Sequence, residues 1–307
     1  MTALAQSTDQ APLVGIVVLN WNGWSLTQEC LKSIKASDYP NYRVVVVDNG
    51  STDYSVAKLQ ANKKDFELIA TGQNLGFTGG CNVGIAKALG QGAEYVLLLN
   101  NDATAAPEML SRIVAAAGQA DAAICGARVM DEAGAQILFD GERWPWNIFG
   151  LRLPLAFSPS ESWNDADRAD GSAMLLRRDI LERRLLEYGH ILAPGFFMYC
   201  EETDLCRYGI DKGYRCIVAH DAIVYHGLAK SSGGEGNPRS YYYLTRNRIY
   251  LANRWLSPPW KIIFHMYYLP SRLLLQFKRT RAARSAVWQG LKDGYLGVEG
   301  IWNRHGG

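Results

Sequence analysis

No two of the six cysteines (Cys30, Cys81, Cys125, Cys200, Cys206, Cys216) form a Cys-x-x-Cys pair in this 307-residue chain. Scattered thiols argue against a zinc site or a disulfide framework and fit a reducing compartment. The glycine-rich stretch at 74–84 has neither the Gly-x-Gly-x-x-Gly spacing of a dinucleotide site nor the Gly-x4-Gly-Lys-Ser/Thr of a P-loop. There is no low-complexity tract and no internal repeat. No secretory leader is legible, and the polar residues 1–12 are expected to fray. An uninterrupted apolar run of membrane-spanning length is missing too: the most apolar segment, Trp260 to Phe277, contains Lys261, His265, Pro270 and Arg272. The basic residues near the C-terminus accompany long aliphatic runs and no nucleic-acid-binding motif, so nucleic acid is not an expected partner.

What remains is the composition of an ordinary enzyme, 48% apolar and 20% charged. The length supports one large α/β domain with an appendage, or two small domains. The formal charge of +2 hides an asymmetry. From Arg239 onward twelve Lys/Arg face two acids, Asp293 and Glu299, while the preceding part carries 20 basic and 28 acidic residues. An acidic body with a basic tail points to an anionic surface as the tail's partner.

Short apolar runs alternate with helical periodicity along the first half. Val14–Leu19, Val44–Val47, Phe66–Ala70 and Tyr95–Leu99 read as buried strands, and Leu26, Cys30, Leu31 and Ile34 repeat at helical spacing between the first two. Alternation of this kind with short links predicts a mainly parallel sheet wrapped by helices. Such sheets bind ligands at the carboxyl ends of their strands. Asp48 and Asp102 both stand at such ends, where an acid can meet a base or ribose, or hold a divalent metal against a diphosphate. Capping of the following helix is the plainer reading of each. The glycines at 76, 79, 80 and 84 allow close backbone approach to a phosphate or ribose.

VVLNWNG, VVVDNGSTD, NLGFTGGCNVGI and LLLNNDATAAPEML follow one another in this order. Together they resemble the inverting family-2 glycosyltransferases of GT-A fold, in particular the branch containing bacterial rhamnosyltransferases. The likeness is dense over 13–112 and resumes over 170–227. It implies that Asp48 recognises the nucleotide base and that Asn20 and Asn74 lie near the nucleoside. Gly79, Asn82 and Asn101 join them in the donor site. Asn101-Asp102 matches the family's metal motif, with Mg²⁺ or Mn²⁺ as the ion, although many members carry two or three acids where this chain has Asn100-Asn101-Asp102. His226 resembles the histidine that completes the metal site, although a lone histidine at a strand end is more often structural.

Met198–Arg207 brings three acids within four positions, Glu201, Glu202 and Asp204. Clustered acids raise at least one pKa by mutual repulsion, which suits a general base; a solvated first helical turn, where acids favour the dipole, is the simpler alternative. The segment resembles the family's Glu-Asp-x-Asp motif, whose second acid is the base. Glu202 occupies that place, where Asp is usual, with Glu201 and Asp204 as fallbacks. Asp170–Arg178 resembles the segment leading to the acceptor side.

Residues 139–168, with Trp144, Trp146, Phe149 and Trp163, read as an irregular stretch whose rings serve the core or an acceptor sugar. Gly213–Val218 and Ala222–His226 read as two strands, and Gly227–Pro238 as a mobile loop able to close over the donor. The expected organisation is thus a frayed 1–12, a catalytic domain over 13–238, and a basic, aromatic, helical extension over 239–307. From Ser271 the extension combines Leu273–Leu275 and Phe277 with Lys278, Arg279, Arg281 and Arg284. An amphipathic helix lying in a membrane interface fits this pattern, and packing on the body or on a second copy, as in a homodimer, is the alternative.

The expected activity is metal-dependent, inverting transfer from a nucleotide sugar, dTDP-rhamnose first and a UDP-sugar next. The acceptor is a glycan or a polyprenyl-diphosphate-linked sugar in surface polysaccharide assembly. The enzyme would be cytoplasmic, peripheral at the inner face of the plasma membrane. A sugar nucleotidyltransferase would share the fold class but needs a basic, glycine-rich loop after the first strand, where Asn20–Gly23 stands. A non-catalytic carbohydrate-binding protein would need no clustered acids.

Overall fold

Val14–Asn20 (β1), Tyr42–Asp48 (β2), Glu67–Ala70 (β3) and Tyr95–Asn100 (β4) form the parallel half of a central sheet, in the order β3-β2-β1-β4. The structure, a computed structural model, describes residues 11–149, 161–227, 237–274 and 280–302. The expected fraying of residues 1–10, the closure of 228–236 and the residues 275–279 lie outside that description. Trp24–Lys35 (α1), Ser55–Asn62 (α2) and Gly76–Gly90 (α3) connect these strands.

Beyond β4 come Ala103–Ala105 (β5), Met109–Gln119 (α4), Ala122–Met130 (β6), Ile137–Phe139 (β7), Trp146–Phe149 (α5) and Trp163–Asp165 (β8). Ala173–Arg177 (β9), Arg178–Tyr188 (α6), Glu201–Asp211 (α7) and Arg215–His226 (β10) complete the body. β9 runs antiparallel between β4 and β6, and β10 is parallel to β6. The described residues of 139–168, which include α5 and β8, are therefore less irregular than their composition suggests.

Successive residues of β1 point to opposite faces. Ile16 and Val18 join Val46, Leu97 and Ile113 on one side, and Val17 joins Ile85, Leu98 and Ile124 on the other. Helices cover both faces, which is why the strands are apolar throughout instead of alternating.

The residues expected to make two strands, 213–218 and 222–226, form the single strand β10, with its register shifted between Ala219 and Ile223. The irregularity directs His220 inward, where its ring nitrogens lie 3.0 Å from Asp140 and 2.8 Å from Asn164. A bulge of this kind re-aims side chains without ending a strand. Downstream of it, β10 pairs antiparallel with β5 and sets His226 opposite Ala103.

Pro238–Trp255 (α8), Pro258–Leu274 (α9) and Arg281–Leu296 (α10) build the C-terminal extension. α10 lies close along α8: a Cβ on Gly290 would sit 2.7 Å from the Tyr242 carbonyl oxygen, and one on Gly294 2.7 Å from Ile249. No described helix is long and apolar enough to cross a membrane.

Candidate active site

At the carboxyl ends of β1 and β2 a chain of buried hydrogen bonds holds two loops together. Asn20 donates to Asp48 Oδ2 at 2.7 Å and accepts from the Thr27 hydroxyl at 2.7 Å. Asp48 also accepts from the Ser51 amide and hydroxyl. Both Asn20 and Asp48 are fully buried, so their side chains tie the ends of β1 and β2 together. Asn74 Oδ1 accepts from the Gly76 amide and from Asn49. Asn82 donates to and accepts from the backbone of Leu192, tying α3 to the segment before α7. Gly79 packs on Leu75, only 2.7 Å from where a Cβ would stand.

From Thr27 the chain continues to Asn101, whose amide donates to the Thr27 hydroxyl at 3.0 Å. The next residue, Asp102, lies with Oδ1 2.9 Å from His226 Nε2. Burial opposes a charge on His226, but the bond to Asp102 and the charges of Asp102, Asp170 and Glu132 outweigh it and raise its pKa. A cation at Asp102 would compete with that proton. Asp102 and His226 would offer a divalent ion one carboxylate oxygen and one imidazole nitrogen, donor types that Mg²⁺ or Mn²⁺ accepts. Among the described residues no three His, Cys, Asp or Glu side chains form a metal cluster. The protein would supply two ligands, with the remainder from substrate oxygens and water.

The third part of the site surrounds Arg168. Its guanidinium donates to Glu202 Oε1 at 3.0 Å, Glu142 Oε2 at 2.8 Å and Asp170 Oδ2 at 3.3 Å. Burial alone would raise the Asp170 pKa, yet Arg168, Ser172 and His226 hold it below the usual carboxylate range. Asp170 thereby couples Arg168 to the Asp102–His226 pair. Glu202 is further fixed by Thr203, whose hydroxyl donates to the same Oε1. Oε2 has no hydrogen-bond partner among the described residues.

The three clustered acids divide by environment. Asp204 is fully buried and pairs with Arg184 and Arg254, while the Trp255 indole donates to it at 2.7 Å. Burial, then the Glu202 charge, push the Glu201 pKa well above its ordinary value, and its buried Oε2 lacks a partner among the described residues. Glu202 pairs instead with Arg168 and is partly exposed, its side chain 12% accessible.

Immediately before these acids, Phe197, Tyr199 and Cys200 all have positive φ, a costly conformation that persists only where surroundings impose it. Two residues of α8 impose it here. Arg246 donates to the carbonyls of Gly195, Phe196 and Gly300, and Asn247 to those of Phe196, Met198 and Tyr199. The extension is thus bonded directly to the segment that aims α7. On the other side, Thr78 N donates to the Phe197 carbonyl.

Sequence reasoning missed Arg168 and Glu142, as well as Arg246 and Asn247. Only Arg168 left a trace, two residues before the Asp170 segment. Among the rings of 139–168, Phe149 is buried against Phe264 and Tyr267. Trp163 lies under Arg215, and Trp144 under Arg207.

Known proteins share this fold and part of this sequence. A mannosyltransferase from Pyrobaculum calidifontis in complex with GDP-Man and Mn2+ superposes with a TM-score of 0.59 at 18% identity, over 94% of this chain and 86% of its own. Residues 1–349 of S. aureus TarS in complex with UDP-GlcNAc superpose with a TM-score of 0.60 at 17% identity, over 93% and 81%. These neighbours share the GT-A architecture. In sequence, the low-salt glycan biosynthesis hexosyltransferase Agl10 of Haloferax volcanii is 26% identical over 63% of this chain, and the match spans 60% of that relative's length. The N-acetylglucosaminyl-diphospho-decaprenol L-rhamnosyltransferase of Mycobacterium tuberculosis is 24% identical over 82% of this chain and 88% of its own. Residues 15–185 match the pattern of glycosyl transferase family 2. The chain is a family-2 glycosyltransferase.

Proposed function

We propose that the enzyme transfers a sugar, with inversion, from a nucleoside diphosphate sugar to a hydroxyl of a glycan or polyprenyl-diphosphate-linked acceptor in surface polysaccharide assembly. dTDP-rhamnose is the favoured donor and a UDP-sugar the next. The observation that carries the reading is the set of hydrogen-bonded groups Asp48–Asn20–Thr27–Asn101, Asp102–His226 and Asp170–Arg168–Glu202.

The nucleoside lies over the floor built by Asn20, Asp48 and Asn74, with backbone at Gly79 near the diphosphate. Asp102 and His226 hold Mg²⁺ or Mn²⁺, which when bound offsets the charge growing on the departing diphosphate. Glu202 Oε2 accepts the proton of the acceptor hydroxyl as that oxygen attacks the anomeric carbon and the bond to the diphosphate breaks. Arg168 keeps the carboxylate oriented through Oε1, and so accommodates a side chain one methylene longer than Asp. Burial and the charge of Glu202 raise the Glu201 pKa, which disfavours a second negative charge beside the base. Asp204 serves as a structural anchor.

The mycobacterial relative's name, which pairs a rhamnosyl donor with a diphospho-decaprenol acceptor, supports the donor and acceptor class. Cytoplasmic action at the inner face of the plasma membrane follows from such an acceptor, with the basic extension turned to the anionic lipid. A panel of nucleotide sugars tested by thermal shift with Mn²⁺ identifies the donor, because only ligands of the folded state raise the melting point. With that donor, Glu202→Gln should keep the thermal shift and lose roughly 10²–10⁴-fold in transfer. Equal release of nucleoside diphosphate by wild type and variant would sink the assignment of the base.

A further inference from the structure

α9 is turned inside out relative to an ordinary surface helix. At 100° per residue, Phe264 and Tyr268 mark its inward side, where both are fully buried and their rings stack at 4.6 Å. The opposite arc should be polar. It carries Ile262, Met266 and Leu269 in one row, with Ile263, Tyr267 and Leu274 beside it. Met266 is 74% exposed and Ile262 62%. Elsewhere on the body the exposed apolar residues are the short group Leu185, Leu186 and Tyr188 on α6 and single ones such as Tyr54 and Ile137, and isolated cases carry no meaning. Here six fall on one face of one helix.

The neighbouring helix continues this surface. His265 Nδ1 lies 3.1 Å from the Tyr295 hydroxyl, joining α9 to the outer face of α10. That face presents Arg281, Arg284, Trp288, Lys292 and Tyr295 at helical spacing. α10 buries Ala286, Val287 and Leu291 instead, and its one acid, Asp293, accepts from the Tyr242 hydroxyl at 2.6 Å. α9 has no acid at all.

We propose that α9 docks in the interface of an anionic phospholipid bilayer, its apolar arc lying among the acyl chains and the α10 basic and aromatic residues at the headgroups. The pairing of aliphatic residues with flanking Trp, Tyr, Lys and Arg is what such an interface selects. A second copy fits less well, since a two-fold contact would bring the same basic face against itself. The proposal rests on the lipid-linked acceptor read above and says which surface meets the membrane. It departs from the sequence pattern, which pointed to the helix from Ser271 onward. It also links membrane to base: Phe149 of α5 packs on Trp260, Phe264 and Tyr267 of α9. α5 closes the segment whose Glu142 holds Arg168, and Arg168 in turn holds Glu202. Docking would therefore fix the height of Glu202 above the bilayer.

The test uses the full chain and vesicles of phosphatidylcholine, alone or mixed equally with phosphatidylglycerol. Wild type should sediment with the mixed vesicles roughly tenfold more tightly than with phosphatidylcholine, and less so in high salt. The double variant Ile262→Glu/Met266→Glu should lose roughly tenfold or more of that binding, with its melting point unchanged because both side chains are exposed. Arg281→Glu/Arg284→Glu should lose only the preference for phosphatidylglycerol. Wild-type binding indifferent to phosphatidylglycerol overturns the proposal, as does an unimpaired Ile262/Met266 variant. So does a variant that dissociates a dimer while still binding vesicles. Donor turnover with a soluble acceptor, measured alongside, separates the two readings: turnover without vesicle binding removes the docking face alone, and vesicle binding without turnover removes the catalytic reading alone.

Discussion

Replacing Glu201 by Gln should change how stability depends on pH more than it changes stability itself. Glu201 is buried, its Oε2 has no partner among the described residues, and burial together with the Glu202 charge raises its pKa well above the ordinary value. In the unfolded chain the same carboxyl titrates near about 4.3. Below that pH both states are protonated and the group is neutral towards folding. Above it the unfolded chain gives up its proton while the native state keeps one. Stability then falls by up to about 1.4 kcal/mol per pH unit, until the folded-state pKa is passed and the loss levels off. With about 2 cal/mol/K per residue of unfolding entropy, that slope corresponds to a melting-point loss of roughly 2 °C per pH unit in a chain of this size. Glu201→Gln removes the titration, so the melting point of wild type minus that of the variant should decline as pH rises from about pH 5. Differential scanning fluorimetry across that range in matched ionic strength reads this directly. Parallel curves for wild type and Glu201→Gln would refute the reasoning. A loss of slope in Glu202→Gln alone would exchange the roles of the two acids.

Asp102→Asn should fold normally but abolish the Mn²⁺-dependent thermal shift given by a nucleoside diphosphate, which for wild type is worth about 2.7 kcal/mol at a hundredfold excess over Kd; an undiminished shift would place the ion elsewhere. Arg184→Met leaves Asp204 buried without its main cation, and urea unfolding should register a loss of about 3–5 kcal/mol. A loss below about 1 kcal/mol would mean that Arg254 and Trp255 suffice to hold Asp204. At Gly76, where φ is +75° and a Cβ would stand 2.5 Å from the Phe197 carbonyl oxygen, Ala should cost roughly 1–3 kcal/mol. Because the Phe197–Cys200 segment leads into α7, transfer should also fall in this variant; wild-type stability and transfer would show that the contact is slack.

The apolar runs that became β1, β2 and β4 could be read because a strand covered on both faces must be apolar throughout, and few other structures tolerate that. Asp48 and Asp102 stood out because polar residues after such a run mark the edge where ligands bind. His226 was harder: its place beside Asp102 depends on β5, three residues that pair with the end of β10. Short strands depend on their partners more than on their own propensity. The same limit explains why β10 reads as two strands, since its shifted register answers to the interior contacts of His220. In the extension, amphipathicity was legible but its direction was not. Lys261, Pro270 and Arg272 make α9 look broken, whereas the packing of Phe264 and Tyr268 leaves its apolar arc facing outward.

The chain's own order of residues determined the β-α alternation, the positions of the strand ends and the acid-rich stretch at 201–204, because these follow from local pattern and from which groups tolerate burial. Tertiary structure alone decided which of three clustered carboxyls has its pKa raised by burial, which is locked to arginine in the interior and which is held by arginine while partly exposed. Their environments come from Arg168, Arg184 and Arg254, which are far away along the chain. Charge on a carboxyl depends on what surrounds it in space, and neighbours in sequence do not carry that information.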